Sequence, residues 1–392
     1  MNAYLDNSAT TRVFKPVQEL IIKIMDEDFG NPSSLHRKGL DGEEYIKGAA
    51  KQIAAALKVE PRELIFTSGG TESNNMALFG VATAYQRAGK HIITTAIEHA
   101  SISAPLQWLE EQGYRITYLP VDHKGCVSLD ALREAICPDT ILVSVMYVNN
   151  EIGTVQPIEE IASIIHEKNP KTLFHVDAIQ AFGKIQIRPK RQGIDLLSVS
   201  SHKFHGPKGV GFLYCAGKVK LHPIIFGGGQ QKGMRSGTEN VPGIAGMGLA
   251  AELICEKYEE KAAYLNGLRR RFLEGVHTLE GIHVNGWDET VDGDEVLAKR
   301  APHVVSVSVD GVRSEVLLHA LEDKGVYISA GSACSSNKPS VSSTLKAIGI
   351  KKEHLESTVR FSFSIFNTEE EIDYAVQVMR ELLPMLRRYR RR

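Results

Sequence analysis

"DLLSVSSHKFHGPKGVG", residues 195–211, holds the reading that decides the fold. Its first part, "DLLSVSS" (195–201), is an aliphatic run of strand length. The run stops at His202, Lys203 and a glycine turn, and another short β-rich run, "GVGFLYC" (209–215), follows. A lysine is usually a surface residue. Lys203 instead follows a buried-looking strand, where burial lowers an amine's pKa and favours a nucleophilic or Schiff-base role.

Upstream, the same pattern recurs. "ELIFTS" (63–68), "HIITTA" (91–96), "RITYLPV" (115–121), "TILVSVMYV" (140–148) and "TLFHVDA" (172–178) read as strands. Helix-like stretches such as "ESNNMALFGVATAYQRAG" and "IEEIASIIHEKN" lie between them. This alternation predicts an α/β fold: βαβ units, a mostly parallel sheet, and helices on both faces joined by right-handed crossovers. Downstream, the glycine-rich "GGGQQKGMRSGTE" (227–239) reads as an ordered functional loop or a boundary. A helical pattern runs from Val241 to about Glu280, and "HVVSVSV" (303–309) and "VRFSFS" (359–364) read as further strands. With 392 residues, the chain suits two domains. They are expected at 14–255 (large) and at 1–13 with 256–392 (smaller, α+β).

Ligands of open parallel sheets bind beyond the carboxyl ends of the strands. After "ELIFTS" comes "GGTESNN" (69–75), where Gly70 lets backbone N–H groups approach an anion, Thr71 adds a hydroxyl, and a helix N-terminus favours phosphate. The segment lacks the lysine of a P-loop and the spacing of G-x-G-x-x-G. Alone, it is often only a turn. After "HIITTA" comes His99, which by itself reads as a hydrogen-bonded histidine at a strand end. Asn149 and Asn150 follow "TILVSVMYV" and are ambiguous. Asp177 and Gln180 follow "TLFHV", and an acid there is costly unless a cation pairs with it. One rim thus collects a phosphate cradle, a stackable imidazole, a buried acid and a desolvated lysine. That set matches the needs of pyridoxal 5′-phosphate: Schiff-base lysine, acid for the pyridinium nitrogen, helix terminus for the phosphate.

Composition is that of an ordinary soluble protein, 43% hydrophobic and 24% charged. With 46 Lys plus Arg against 47 Asp plus Glu, it argues against a general nucleic-acid binder. The terminal "LRRYRRR" (386–392) reads as a solvated helix end, with an acidic or RNA partner as the alternative. Cys126, Cys137, Cys215, Cys255 and Cys334 are widely spaced, odd in number and without C-x-x-C, which disfavours a zinc site or a disulfide framework and fits a reducing compartment. No signal peptide or membrane-spanning run is evident, so a cytoplasmic location is expected. Cys334 lies in "SAGSACSSNKPS" (329–340), a small-residue polar loop that leaves open whether the thiol is a bystander or reactive.

Ten stretches, "YLDNSATT", "GNPSSLHRKG", "FTSGGTESNN", "EHAS", "VNNEIGTVQPI", "HVDAIQAFGK", "SSHKFHGPKGVG", "GGGQQKGMRSGTEN", "GSACSS" and "VRFSFS", together resemble the NifS/IscS-type cysteine desulfurases, fold-type I pyridoxal-phosphate enzymes of the class V aminotransferase group. The resemblance covers essentially the whole chain. It implies Lys203 as the cofactor's lysine, Asp177 against the pyridine nitrogen, and Gln180 and Asn150 near the ring oxygen, Asn150 also near the substrate. It implies His99 stacked on the ring and handling protons, and Gly70, Thr71, Ser200 and His202 at the phosphate. Thr238 would reach the phosphate of a neighbouring subunit, making the enzyme a homodimer with shared sites. Arg360 would clamp the substrate carboxylate.

The implied reaction removes sulfur from L-cysteine, leaving L-alanine and a persulfide on Cys334, whose thiolate is the attacking form. The sulfur then passes to an acceptor, such as an iron–sulfur scaffold or a tRNA-thiolation enzyme. No resident metal is implied; Cys334 is a candidate only for transient cluster ligation. A selenocysteine lyase, a small-amino-acid transaminase and a non-catalytic scaffold on this fold remain alternatives. Two departures stand out: Ala330 replaces a common serine, and the basic C-terminus does not resemble the tail by which some members engage their scaffold partner.

Overall fold

The computed structural model describes residues 1–330 and 342–388; Cys334 and the tail from residue 389 lie outside the described residues. The chain opens with a short strand, β1 (Ala3–Tyr4), and then supplies the large sheet: β2 (Leu64–Thr67), β3 (His91–Thr95), β4 (Arg115–Leu119), β5 (Thr140–Met146), β6 (Leu173–Asp177), β7 (Leu196–Ser200) and β8 (Gly211–Cys215). Spatial order is β2-β8-β7-β6-β5-β3-β4. Every pairing from β7 through β4 is parallel, and β8 runs antiparallel to both its neighbours.

The central strands are nearly continuous β-branched and aliphatic runs because helices cover both faces. All seven residues of β5 are buried. Side chains alternate between two cores, as the pleat requires. Val143, Val145, Val176 and Val199 join one with Met247 and Ile53; Ile92, Leu142 and Leu196 join the other with Leu78 and Leu106. On the edge strand β2, the Gln231 amide from the glycine-rich segment donates to the Phe66 carbonyl (2.8 Å) and accepts from its N–H (2.7 Å). That pair closes an edge otherwise open to foreign strands.

Four more strands, β9 (Ile282–Asn285), β10 (Val304–Val309), β11 (Val326–Tyr327) and β12 (Ser329–Ala330), precede β13 (Thr358–Ser362). They form an antiparallel sheet, β12-β13-β10-β9, while β11 pairs in parallel with β1. A separate core of Phe272, Phe361, Phe363 and Met379 lies here, and it takes in Ala3 and Leu5 from the chain's start.

The helix expected from Val241 to about Glu280 is instead two, Val241–Cys255 and Tyr258–Val276. Between them Glu256 is extended (ψ 134) and Lys257 is left-handed (φ 49). The first helix, mostly buried, packs on the large sheet's core, and the second buries one face in the smaller core. The bend carries the chain from one core to the other. Among the described residues, no helix is long and apolar enough to cross a membrane.

Candidate active site

A cavity of about 610 Å³ opens at the carboxyl ends of β5, β6 and β7. Gly70, Thr71, His99, Asn150, Asp177, Gln180, Ser200, His202, Lys203 and Arg360, drawn from both sheets, all line it. Of the other residues singled out in the sequence, Thr238 is exposed and does not line the cavity, and Cys334 lies outside the described residues.

At one end stands the N-terminus of the helix Gly70–Tyr85, with no side chain capping it. A Cβ on Gly70 would come 2.2 Å from the Ile179 Cδ1, and Gly69 sits at φ +150, a region that favours glycine. The bare amides of this 16-residue helix make an anion site, with Ser200 and His202 beside them. Burial, aided by Lys203 and Lys208, brings the His202 pKa down to about 4, so the imidazole is neutral and acts as a hydrogen-bonding group, not a cation. Its Nδ1 lies 3.2 Å from the Thr10 hydroxyl.

Lys203, at the end of the 3-10 turn that follows β7, sends its Nζ to the carbonyls of Ser8 and Ala9, both at 2.7 Å. Asp177, the last residue of β6, is 4% exposed. One of its oxygens accepts from the Asn74 amide (2.8 Å), the other from the Ile179 N–H (3.0 Å). Burial pushes its carboxyl pKa up, while those donors and the Lys203 charge oppose the rise. A cationic ring nitrogen against Asp177 would oppose it further.

The Asn74 amide also donates to the Ser101 hydroxyl (2.8 Å), which lies 2.8 Å from His99 Nδ1. His99 caps the helix Ala100–Glu111, and its Nδ1 accepts the Ser101 main-chain N–H at 3.1 Å. A nitrogen that accepts a backbone N–H carries no proton, so neutral His99 holds its proton on Nε2. Beside it, Glu98 is almost fully buried, and burial pushes its pKa up to about 8, keeping the carboxyl neutral at pH 7. Its Oε1 accepts from the Thr95 hydroxyl (2.7 Å) and the Met146 N–H (2.9 Å).

Arg360, on β13, is 2% exposed. One terminal nitrogen donates to the Asn150 carbonyl (2.8 Å), the other to Asp6 (2.9 Å), and Nε is buried with no partner among the described residues. The guanidinium is thus partly engaged by Asp6, whose own carboxyl burial pushes up. Gln180 donates to the Ser8 carbonyl at 2.9 Å.

Asn74, Ser101, Glu98 and Asp6 were not singled out in the sequence. Each sits inside a stretch quoted above ("GGTESNN", "EHAS", "YLDNSATT"), and their polarity beside apolar runs was the available signal. The pocket suits pyridoxal 5′-phosphate in three ways: uncapped amides behind a glycine for the phosphate, a buried acid for the ring nitrogen, and an amine at the end of an adjacent strand.

Residues 3–375 match the family described as aminotransferase class-V. The chain is 45% identical over 384 residues to cysteine desulfurase IscS of Methanosarcina thermophila, covering 98% of this chain and 92% of that protein. Against cysteine desulfurase IscS of Clostridium botulinum (strain Hall), identity is 42% over 385 residues, covering 98% and 95%. A solved NifS-like protein superposes with a TM-score of 0.91 at 38% identity, over 98% of this chain and all of that one. The chain therefore belongs to the aminotransferase class-V family, among its IscS/NifS-type cysteine desulfurases, and its cofactor is pyridoxal 5′-phosphate.

Proposed function

We propose that this chain moves the sulfur of L-cysteine onto its own Cys334, releases L-alanine, and hands the sulfur to an acceptor protein. The observation carrying this reading is the meeting of Lys203, Asp177, an uncapped helix N-terminus and Arg360 around one cavity. When bound, the cofactor supplies an electron sink for the bonds around the Cα of an amino acid joined to it.

The chain's residues then divide the work. Lys203 would be the cofactor's attachment point, and its amine would take the substrate's Cα proton. Asp177 would favour a positive charge on the ring nitrogen. Gly70, Thr71, Ser200 and His202 would hold the phosphate, and Gln180 and Asn150 would lie near the ring oxygen. His99 presents Nε2–H from its capping position. Arg360 orients the substrate carboxylate, and Asp6 yields the guanidinium to it. The Cys334 thiolate attacks the substrate sulfur: an S–S bond forms, the Cβ–S bond breaks, and the carbon keeps that electron pair and gains a proton, giving alanine. No external oxidant or reductant is needed.

The full enzyme is read as a homodimer in which Thr238 reaches the neighbour's site; the exposure of Thr238 on its glycine-rich segment supports this. The cytoplasm is the proposed compartment, supported by free Cys126, Cys137, Cys215 and Cys255. Iron–sulfur assembly or tRNA thiolation is the proposed destination of the sulfur. Domains at 14–255 and at 1–13 with 256–392 are supported by the separate cores.

The test is incubation with L-cysteine. Wild type should form alanine and a persulfide on Cys334 detectable by mass; Lys203→Ala should form neither. Alanine formation at the wild-type rate by Cys334→Ala would overturn the nucleophile assignment.

A further inference from the structure

His283 on β9, Asp310 immediately after β10, and His354 in the turn Lys352–Leu355 meet away from the cavity. His283 Nε2 lies 3.0 Å from one Asp310 carboxylate oxygen, and His354 Nε2 lies 2.8 Å from the other. The two rings stack, with centroids 4.7 Å apart and planes 28° from parallel. The ligand atoms of all three lie within 4.8 Å of one another.

We propose that His283, Asp310 and His354 form a binding site for a divalent transition-metal ion of the zinc class. Two imidazole nitrogens and a carboxylate are a donor set that such ions select. In tetrahedral coordination with bonds near 2.1 Å, ligand atoms sit about 3.4 Å apart, so small side-chain rotations suffice. On binding, each Nε2 lone pair bonds the ion and that ring's proton moves to Nδ1. His354 is largely shielded by protein, while His283 and Asp310 are about half exposed, leaving room for water as a further ligand.

The backbone fixes the arrangement in advance. His283 pairs with Ser308 across β9 and β10, and the Asp310 N–H donates to the Gly281 carbonyl at 2.8 Å. The His354 carbonyl accepts the Ser357 N–H (3.1 Å) and the Thr358 hydroxyl (2.7 Å), tying the turn to β13. Arg387, bonded to the Asp310 main-chain carbonyl, is the nearby cation that the ion must tolerate. Bound metal would cross-link β9, β10 and the turn leading into β13, making the site structural.

The test uses full-length, cofactor-loaded, tag-free protein titrated with Co²⁺ and, separately, Zn²⁺. Visible cobalt bands without a near-ultraviolet thiolate charge-transfer band exclude the cysteines as ligands. Wild type should bind one such equivalent, and saturating Zn²⁺ should raise its thermal midpoint. His283→Ala and His354→Ala should each lose the band and the midpoint shift while keeping alanine formation. No sulfur-free cobalt spectrum in wild type, or the same spectrum in both variants, would overturn the proposal.

Discussion

Lys184 Nζ donates to the main-chain carbonyl of Lys203, so a buried second lysine braces the one that enters the active site. Lys184 is 7% exposed, and its amine bonds a neutral main-chain carbonyl. Burial, aided by the Lys203 charge, pushes its pKa down to about 7. The folded value is therefore below the unfolded one, and between about pH 7 and the ordinary lysine range the unfolded chain holds more protons. Stability from this group consequently rises with pH across that window, by up to about 1.4 kcal/mol per pH unit. Lys184→Met removes the effect. The wild-type thermal midpoint should gain on the Lys184→Met midpoint between pH 7.5 and pH 9; parallel curves would contradict the assignment.

The capping of His99 fixes its tautomer. In ¹⁵N-labelled protein at neutral pH, NMR should show the His99 proton on Nε2. Ser101→Ala keeps the main-chain donor, so the tautomer should persist. The Asn74 amide loses an acceptor in that variant, and stability should fall by about 1–3 kcal/mol. A proton found on Nδ1 would refute this reading.

Gly70→Ala places a methyl against Ile179, which itself lines the cavity. Overpacking of this kind costs about 1–3 kcal/mol, and here it falls on the phosphate end, so cofactor retention after dialysis should drop at least about tenfold. Gly70→Ala with Ile179→Val should recover part of it. Unchanged visible absorbance in Gly70→Ala would show that the phosphate does not sit there.

Asp6 competes with substrate for Arg360. Asp6→Asn should therefore lower KM for L-cysteine. Arg360→Lys, which loses the planar fork, should raise KM by roughly 10- to 100-fold, the equivalent of about 1.5–3 kcal/mol for a charge-assisted hydrogen bond. Equal KM in wild type and Arg360→Lys would remove Arg360 from substrate binding.

Legibility followed separation along the chain. Lys203 and Asp177 could be read because each ends an apolar strand, where an ionisable residue stands out locally. Gly70 could be read from its place between a strand and a helix. The Asp6–Arg360 pair spans 354 positions and the Asn74–Asp177 pair 103, and no local pattern announces such contacts. The helix break at Glu256 and Lys257 carries no glycine or proline; it follows from serving two cores, which only the packed structure reveals. His283, Asp310 and His354 likewise meet across 27 and 44 positions.

The first nine residues do more than begin the chain. Ser8 and Ala9 receive the Lys203 amine, while Asn7 donates its amide to the Ser362 carbonyl at 2.9 Å. During synthesis these residues are made before either large sheet, yet their position depends on β13, which follows every other described strand. The large sheet can assemble beforehand, but the amine's cradle cannot. Order of assembly thus delays a finished cofactor pocket until the chain is nearly complete, so a truncated product ending before β13 has the lysine without the setting in which it works.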